Sequence, residues 1–426
     1  MSKKREPKLD IEVWADWNEL GKPTLMGRLS SLLSRGNEIF SFQYDNAWLD
    51  SKHAVQLDPK LELFKGEQFS SSESKNNFGL FLDSSPDRWG RTLQKRRAAI
   101  QARLQNQPAP KLYESDYLLG VYDGHRLGAL RFRIEGEDGF LNNDQNLSTP
   151  PMTSSRELEE AVRAIENDSF SDEKEEAKWL KMLIAPGGSL GGARPKASVL
   201  ASDEQLWIAK FPSREDVQDS GAWEYLVHQL AMKSEITVPK AQLQLFKGPQ
   251  HTFLLERFDR IKNQRIHFAS AMTLLNKTDG AGTSDGTSYL DIAEFIMKAG
   301  AQVDQDLLQL WKRIVFHICI SNTDDHLRNH GFLLTPKGWV LSPAFDMNPN
   351  PDGEGLTLNI SESDNSQNFE LALEVAPYFR IDKALADKIL KKIISEVKEW
   401  KIIAKALKIS RSEVERMKNA FRLVED

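Results

Sequence analysis

Hydrophobic and polar positions along the chain change from a strand-like pattern near the N-terminus to a helix-like pattern near the C-terminus. Within residues 1–150, short apolar or alternating runs predict strands, namely IEVWADW, EIFSFQY and GALRFRI, and residues 89–104 predict a helix. Farther along, DQDLLQLWKRIVFHICIS predicts a helix, because apolar residues recur at helical spacing at Leu307, Leu308, Trp311, Ile314, Val315 and Ile318. Strand-rich sequence followed by helix-rich sequence predicts an α+β fold.

The same pattern predicts four regions along the chain. Residues 1–135 form a strand-rich N-terminal subdomain, and residues 136–156 form a linker, because this stretch is rich in Gly, Asn, Ser and Pro. Residues 157–262 hold two hairpins around the helix GAWEYLVHQLAMKSE. Residues 263–426 are mainly helical and contain one short hairpin, in which TPKG joins GFLL to GWVLS.

Composition and charge narrow the class of protein. The formal net charge of −6 argues against nucleic-acid binding through bulk charge alone. A single cysteine, Cys319, forms no disulfide within the chain and favours a reducing cytoplasm. No apolar run approaches the roughly 18 residues that a membrane span needs, so we expect a cytoplasmic protein. One basic run is interpreted as a solvated helix face; it comprises Arg88, Arg91, Lys95, Arg96 and Arg97.

The segment ISNTDDHLRNHGFLL, followed by WVLSPAFDMNP, carries the strongest candidate chemistry. Asp324 precedes Asn329 by five positions, and Asp346 follows after a hairpin. Phosphoryl transfer to a hydroxyl needs a carboxylate that takes the proton and oxygen ligands that hold Mg²⁺ against the phosphates. We therefore predict Asp324 as catalytic base, and Asn329 and Asp346 as Mg²⁺ ligands, as in protein kinases. The alternative interpretation is that these residues only form turns and caps.

Other residues of this site are predicted from their places in the sequence. His326 is assigned to the catalytic loop as a supporting group that packs and orients it. Lys210 ends the strand LWIAK and is the candidate cation for the ATP phosphates, while Glu224 on the following helix is the candidate partner that holds the lysine. Taken alone, a lysine at a strand end is a solvated charge, and Glu215 or Glu235 could take the place of Glu224.

A glycine-rich stretch, APGGSLGGARPK, precedes the strand that carries the lysine. Glycines allow positive φ angles and a close approach of the backbone, so that N–H groups can face phosphates. The stretch lacks the Gly-Lys-Ser/Thr ending of a Walker A sequence, and a surface loop is the alternative. The predicted phosphate-binding residues are Gly188, Ser189, Gly191 and Gly192.

Taken together, these motifs resemble the HipA family, bacterial toxin kinases of type II toxin–antitoxin modules. The resemblance runs nearly end to end and is carried, in this order, by SSPDRWGR, GVYDGHRLGALRF, GGSLGGARPKA, WIAKF, LERFDR, SNTDDHLRN and LSPAFDMNP. It implies a bilobal protein-kinase-like fold, in which residues 157–262 form the N-lobe and residues 263–426 the helical C-lobe. It also implies that ATP and Mg²⁺ are the cofactors and that the backbone of Glu256 to Phe258 meets the adenine.

The resemblance further implies regulation and partners. In the family, a serine of the glycine-rich loop is phosphorylated by the kinase itself, which switches activity off, and Ser189 occupies that position. A helix-turn-helix antitoxin similar to HipB is the implied partner, so that DNA is bound only through the antitoxin. The implied substrate is a protein hydroxyl, with an aminoacyl-tRNA synthetase as one candidate.

Two departures and two alternatives remain open. Arg328 stands where the family more often has Lys, which changes hydrogen-bond geometry but not charge. Asp325 is a second carboxylate beside Asp324, and we expect it to face solvent because Asp324 has the expected spacing to Asn329. A non-catalytic kinase-like scaffold that represses transcription together with a DNA-binding antitoxin is one alternative, and a kinase of a small metabolite is the other.

Overall fold

The structure is a computed structural model, and it describes residues 8–70, 77–141, 149–187 and 192–425. The chain divides into two compact units. The first comprises residues 1–214 together with 259–269, and the second comprises residues 215–258 together with 270–426. These units do not test the four regions predicted from the sequence, which stay a prediction.

A five-stranded antiparallel sheet with the order β4-β3-β2-β1-β5 forms the base of the first unit. Alternate residues such as Val13, Phe42 and Phe132 are buried in the core, as the period of a strand requires. The two-residue turn between β2 and β3 has positive φ at both Arg35 and Gly36, which suits a tight hairpin. The strands are β1 Lys8–Ala15, β2 Thr24–Ser34, β3 Asn37–Tyr44, β4 Glu67–Phe69 and β5 Leu130–Ile134.

Six helices and a further hairpin complete this part of the first unit. The predicted helix at 89–104 is confirmed as α3, and two members of the basic run on it form ion pairs: Arg91 with Glu114 and Arg96 with Asp168. The elements are α1 Asn46–Leu49, α2 Gly79–Asp83, α3 Arg88–Leu104, α4 Glu114–Leu119, α5 Ser155–Asn167, α6 Glu173–Gly187, β6 Lys196–Leu200 and β7 Leu206–Lys210.

The second unit begins with helix α7 and a hairpin. Asp219 caps α7 through a hydrogen bond from the backbone N–H of Ala222, and Trp223 of this helix donates to Glu413 at 3.1 Å. These contacts fix α7 within its own unit. The elements of residues 215–258 are α7 Ser220–Lys233, β8 Ala241–Gln244 and β9 Thr252–Glu256. Residues 259–269 return to the first unit and carry β10 Arg260–Ile261, β11 Gln264–Arg265 and the start of β12 Phe268–Ser270.

Helix α10 is the centre of the second unit. Every residue from Leu310 to Ile320 is buried, so the predicted helix is confirmed and is covered on all sides rather than on one face. Among the described residues, no helix is long and apolar enough to cross a membrane. The remaining elements are α8 Ala271–Leu274, α9 Tyr289–Ala299, α10 Val303–Ile320, β13 Gly331–Thr335, β14 Gly338–Leu341, α11 Phe369–Val375, α12 Lys383–Val397, α13 Trp400–Ala406, α14 Arg411–Met417 and α15 Arg422–Glu425.

Candidate active site

The loop that follows α10 brings Asp324 and Asn329 together. Ser321 ends the helix in a left-handed conformation, and a short 3-10 turn at Leu327–Asn329 closes the loop. Asn329 is buried, and its side-chain Nδ2 donates to the backbone carbonyl of Asp324 at 3.1 Å. The side chain of Asp324 is exposed. The loop therefore presents one carboxylate to solvent and holds an amide directly behind it.

Asp346 lies close enough to Asp324 for their charges to interact. Partial burial is the largest influence on Asp324 and raises its pKa; the carboxylates of Asp346 and Asp325 raise this pKa further, whereas His326 lowers it. Asp346 itself has a φ of 58°, a left-handed conformation that is strained for residues other than glycine and is often found at functional sites. Two neighbouring carboxylates repel each other, and a cation between them would relieve that repulsion.

The residues present fit a magnesium ion that is held mainly by phosphates and water. Nδ2 of Asn329 donates to the carbonyl of Asp324, and the oxygen of the same amide is a neutral oxygen ligand of the kind that suits Mg²⁺. Within the described ranges, no group of three or more His, Cys, Asp or Glu side chains could hold a metal ion by itself. One carboxylate from Asp346 and one amide oxygen from Asn329 would be the small protein contribution that Mg²⁺ takes when it binds together with a nucleotide.

A small, partly open pocket in the second unit joins Asp346 to Glu224. Glu224 is buried on α7, whereas Glu215 is exposed. Glu235 is exposed as well and forms ion pairs with Lys312 and Lys392. Of the three glutamates considered, only Glu224 therefore lines this pocket. The lining residues are Glu224, His228, Phe253, Leu255, Ala344, Phe345, Asp346 and Met347.

His228 is a pocket residue that the sequence analysis did not identify. It follows Glu224 by four positions and so lies on the same face of α7, which is the signal that could have found it. Its Nε2 lies 2.7 Å from the carbonyl oxygen of Pro239, and burial lowers the pKa of its ring. The ring is therefore neutral near pH 7, with the proton on Nε2.

The expectation that Asp325 faces solvent is wrong. Asp325 is only 2% exposed, and its Oδ2 accepts hydrogen bonds from Tyr289 Oη at 2.6 Å and His330 Nε2 at 2.8 Å. His317 Nδ1 also lies 2.8 Å from this oxygen. Burial opposes ionisation of Asp325, but the neighbouring histidines outweigh it and hold its pKa well below the usual range. Asp324 is exposed and Asp325 is buried although they are adjacent, so the two carboxylates face different surroundings.

The remaining predicted site residues lie in both units. Lys210 is the last residue of β7 in the first unit, and its role stays a prediction. In the second unit, the backbone N–H of Glu256 donates to the carbonyl of Lys240 at 2.8 Å, and the ring of Phe258 packs against Phe345. His326 is half-buried, and its Nδ1 has no hydrogen-bond partner among the residues that the structure describes.

The glycine-rich loop lies mostly outside the described residues. Gly188, Ser189 and Gly191 are in the stretch that the structure does not describe, and their roles stay predictions. Gly192 is described and has a φ of 94°, and a Cβ built on it would lie 2.7 Å from Nζ of Lys196. The backbone conformation therefore favours glycine at this position, and a larger residue would also displace the end of the Lys196 side chain.

Comparisons with known proteins agree on one family. Residues 188–401 match the sequence model of the family described as HipA-like C-terminal domain. A Haemophilus influenzae protein named "Putative kinase" is 27% identical over 219 residues, which are 45% of this chain and 64% of that protein. The chain therefore spans less than two thirds of the length of this curated relative.

A solved structure shows the same fold. HipA of Shewanella oneidensis MR-1, determined with HipB and its operator DNA, superposes with a TM-score of 0.65 at 17% identity, over 97% of this chain and 95% of that chain. Helicobacter pylori proinflammatory kinase CtkA, at 15% identity over 54% of this chain and 94% of its own, has a TM-score of 0.35, which is too low to compare folds. The predicted α+β, HipA-like fold is confirmed by the first of these.

Proposed function

Because the chain belongs to the family of proteins with a HipA-like C-terminal domain, we propose that it is an ATP- and Mg²⁺-dependent protein serine/threonine kinase. The observation that carries the proposal is the arrangement after α10. The side chain of Asn329 donates a hydrogen bond to the backbone carbonyl of Asp324. The negative charge of Asp346 raises the pKa of the Asp324 side-chain carboxyl. A base, an amide oxygen and a second carboxylate in one place are the groups that phosphoryl transfer needs.

In the proposed reaction, Asp324 orients the substrate hydroxyl and accepts its proton. The hydroxyl oxygen forms a bond to the γ-phosphorus of ATP, the bond from that phosphorus to the β–γ bridging oxygen breaks, and ADP leaves with the bond electrons. When bound, Mg²⁺ neutralises charge on the phosphates. Asn329 and Asp346 would hold the ion, and the exposed position of Asp324 lets a protein hydroxyl reach it.

The remaining predicted residues would bind the nucleotide. We assign Lys210 to the ATP phosphates and Glu224, which lines the pocket with Asp346, to the support of that lysine. The backbone of the glycine-rich loop, at Gly188, Ser189, Gly191 and Gly192, would face the phosphates. The carbonyl of Glu256 and the backbone of Phe258 would meet the adenine, since the N–H of Glu256 already donates to Lys240.

The biological role proposed is that of the toxin in a toxin–antitoxin module. It is supported by the fold shared with a HipA that was solved together with HipB and operator DNA. A helix-turn-helix antitoxin would be the partner and would supply the DNA contacts, which suits the net charge of −6 on this chain. Self-phosphorylation at Ser189 would switch the kinase off, because a phosphate adds negative charge where ATP phosphates bind. An aminoacyl-tRNA synthetase is a candidate substrate.

Incubation with γ-labelled ATP and Mg²⁺ tests the proposal. We expect the wild-type protein to label itself or a protein in a lysate, and Asp324→Asn to lower the rate of labelling by about 10²- to 10⁴-fold, the range for loss of a general base. Asp304→Asn is the matched control, because Asp304 is an exposed carboxylate of α10 that pairs with Arg380. Absence of label on any protein would favour a scaffold, and label only on small metabolites would favour a metabolite kinase.

A further inference from the structure

We propose that Asp325 is a positioning residue whose buried carboxylate fixes the loop that presents Asp324 to the substrate. This inference rests on the proposed function, since it concerns how the proposed base is held. Asp325 does not reach the exposed side of the loop and so does not contact the substrate. Its effect on the reaction would act entirely through its neighbour.

Side chains from three separate elements converge on one oxygen of Asp325. Tyr289 of α9 donates from Oη at 2.6 Å, and His330, directly before β13, donates from Nε2 at 2.8 Å. His317 of α10 places Nδ1 2.8 Å from the same Oδ2. All three partners are at most 2% exposed. Asp325 is therefore connected to two core helices and to the start of the hairpin that leads to Asp346.

A carboxylate suits this set of partners better than an amide does. The oxygen of an asparagine could accept hydrogen bonds at the same place, but it lacks the negative charge that strengthens hydrogen bonds to a carboxylate. A buried charge is costly unless it is paired and hydrogen-bonded. The partners of Asp325 meet that condition, so the group stays ionised in the core and its bonds are short and directional.

Residues 321–326 contain no helix or strand, and hydrogen bonds to carbonyls hold the backbone on the N-terminal side of Asp325. Thr357 Oγ1 donates to the carbonyl of Thr323 at 2.7 Å, and Asn329 Nδ2 donates to the carbonyl of Asp324 at 3.1 Å. Asp325 adds a buried side-chain anchor directly after Asp324. Asp324 points outward and Asp325 points inward from adjacent positions. Holding the second side chain in the core therefore determines where the first one points. This geometry matters because a displacement of about 1 Å in a reacting group lowers the rate roughly 10²-fold.

Steady-state kinetics of two variants test the inference. We expect Asp325→Asn to lower kcat about 10²-fold and Tyr289→Phe to lower it about tenfold, while KM for ATP changes less than about threefold in both, because nucleotide contacts are made elsewhere. The double variant should be no slower than Asp325→Asn alone, because both changes break one network. Asp306→Asn is the control, because Asp306 is an equally buried carboxylate of α10 that accepts a hydrogen bond from Leu341 instead. An equal loss of kcat in this control would overturn the inference.

Hydrogen–deuterium exchange separates this inference from the proposed function. Peptides covering residues 321–330 should exchange at least about tenfold faster in Tyr289→Phe and Asp325→Asn than in the wild-type protein or in Asp306→Asn. Unchanged exchange in these peptides would overturn the positioning role, whatever the activity. If the wild-type protein transfers no phosphate, the kinase proposal fails, and exchange alone then decides whether Asp325 fixes the loop.

Discussion

Asn329 donates from its side-chain Nδ2 to the backbone carbonyl of Asp324 at 3.1 Å, while its own backbone N–H donates to the carbonyl of His326 at 2.8 Å. The residue proposed to bind the metal ion therefore also closes the loop that carries the proposed base. The two polar atoms of one amide have different roles: the nitrogen donates a hydrogen bond within the loop, and the oxygen is the proposed ligand of the cation. Substitutions at this position can separate them.

Asn329→Asp and Asn329→Ala should differ in their dependence on magnesium. The aspartate keeps an oxygen for the cation but loses the donor to Asp324, whereas the alanine loses both. We expect kcat to fall about 10²-fold in both variants and the Mg²⁺ concentration for half-maximal rate to rise about tenfold only in Asn329→Ala. Rates at saturating ATP over a range of Mg²⁺ concentrations measure this. An unchanged magnesium requirement in the alanine variant would mean that Asn329 does not bind the metal ion.

Asp346→Asn should weaken the binding of Mg²⁺-ATP but not that of ATP alone. Asparagine accepts the left-handed conformation that Asp346 adopts, so this variant removes the charge with little backbone strain. We expect the dissociation constant for ATP with Mg²⁺ to rise about tenfold or more, because one charged ligand is lost. Titration calorimetry with and without EDTA compares the two conditions. Equal weakening in both would mean that Asp346 acts on the pocket and not on the cation.

Sequence patterns predicted the helices and the loop contact that depend on residues close together in the chain. Helices α3 and α10 follow from local spacing of apolar residues, and the bond between Asn329 and Asp324 joins residues only five positions apart. The same reasoning could not distinguish Asp325 from a surface carboxylate. Its burial depends on Tyr289, 36 positions earlier, and on packing that only the folded chain provides.

The choice among the glutamates near α7 shows the same limit. Three glutamates lie close together in the sequence, namely Glu215, Glu224 and Glu235. Each could, from its position alone, be the partner that holds the candidate lysine. Only the packed structure shows that Glu224 is buried in the pocket with Asp346, while the exposed Glu235 pairs with Lys312 and Lys392. Likewise, no local pattern indicates that residues 259–269 return to the first unit.

Ser189→Ala should remove self-labelling and preserve transfer to an external substrate. A serine between glycines at the phosphate-binding loop is the residue that the family resemblance implies as the self-phosphorylation site, and a phosphate there would repel ATP. Mass spectrometry after incubation with Mg²⁺-ATP locates the phosphate. Ser202→Ala is the control, because Ser202 is exposed in the turn between β6 and β7. Undiminished self-labelling in Ser189→Ala would place the switch at another residue.

Asp306 should make the stability of the protein depend on pH between about 4 and 7. Burial is the largest influence on this carboxyl and raises its pKa to about 6, although the N–H of Leu341 and the charge of Arg313 both lower it. The folded protein therefore binds this proton more tightly than the unfolded chain, whose carboxyl has its ordinary pKa of about 3.9. The stabilisation is fully present below the unfolded pKa and is lost as the pH rises through about 6.

Asp306→Asn fixes the side chain in a neutral form and removes this dependence. Its oxygen can still accept the hydrogen bond that Leu341 donates at 3.0 Å. We compare the free energy of unfolding of the variant with that of the wild-type protein at each pH. The difference, variant minus wild type, should be about 1–2 kcal/mol higher at pH 7.5 than at pH 4.5, so the variant is relatively more stable at the higher pH; the figure is reduced for solvent screening. Urea unfolding of both proteins at the two pH values gives the difference, in which the titration of all other groups cancels. If the difference between variant and wild type is the same at both pH values, the carboxyl of Asp306 titrates in its ordinary range and its burial does not control its charge.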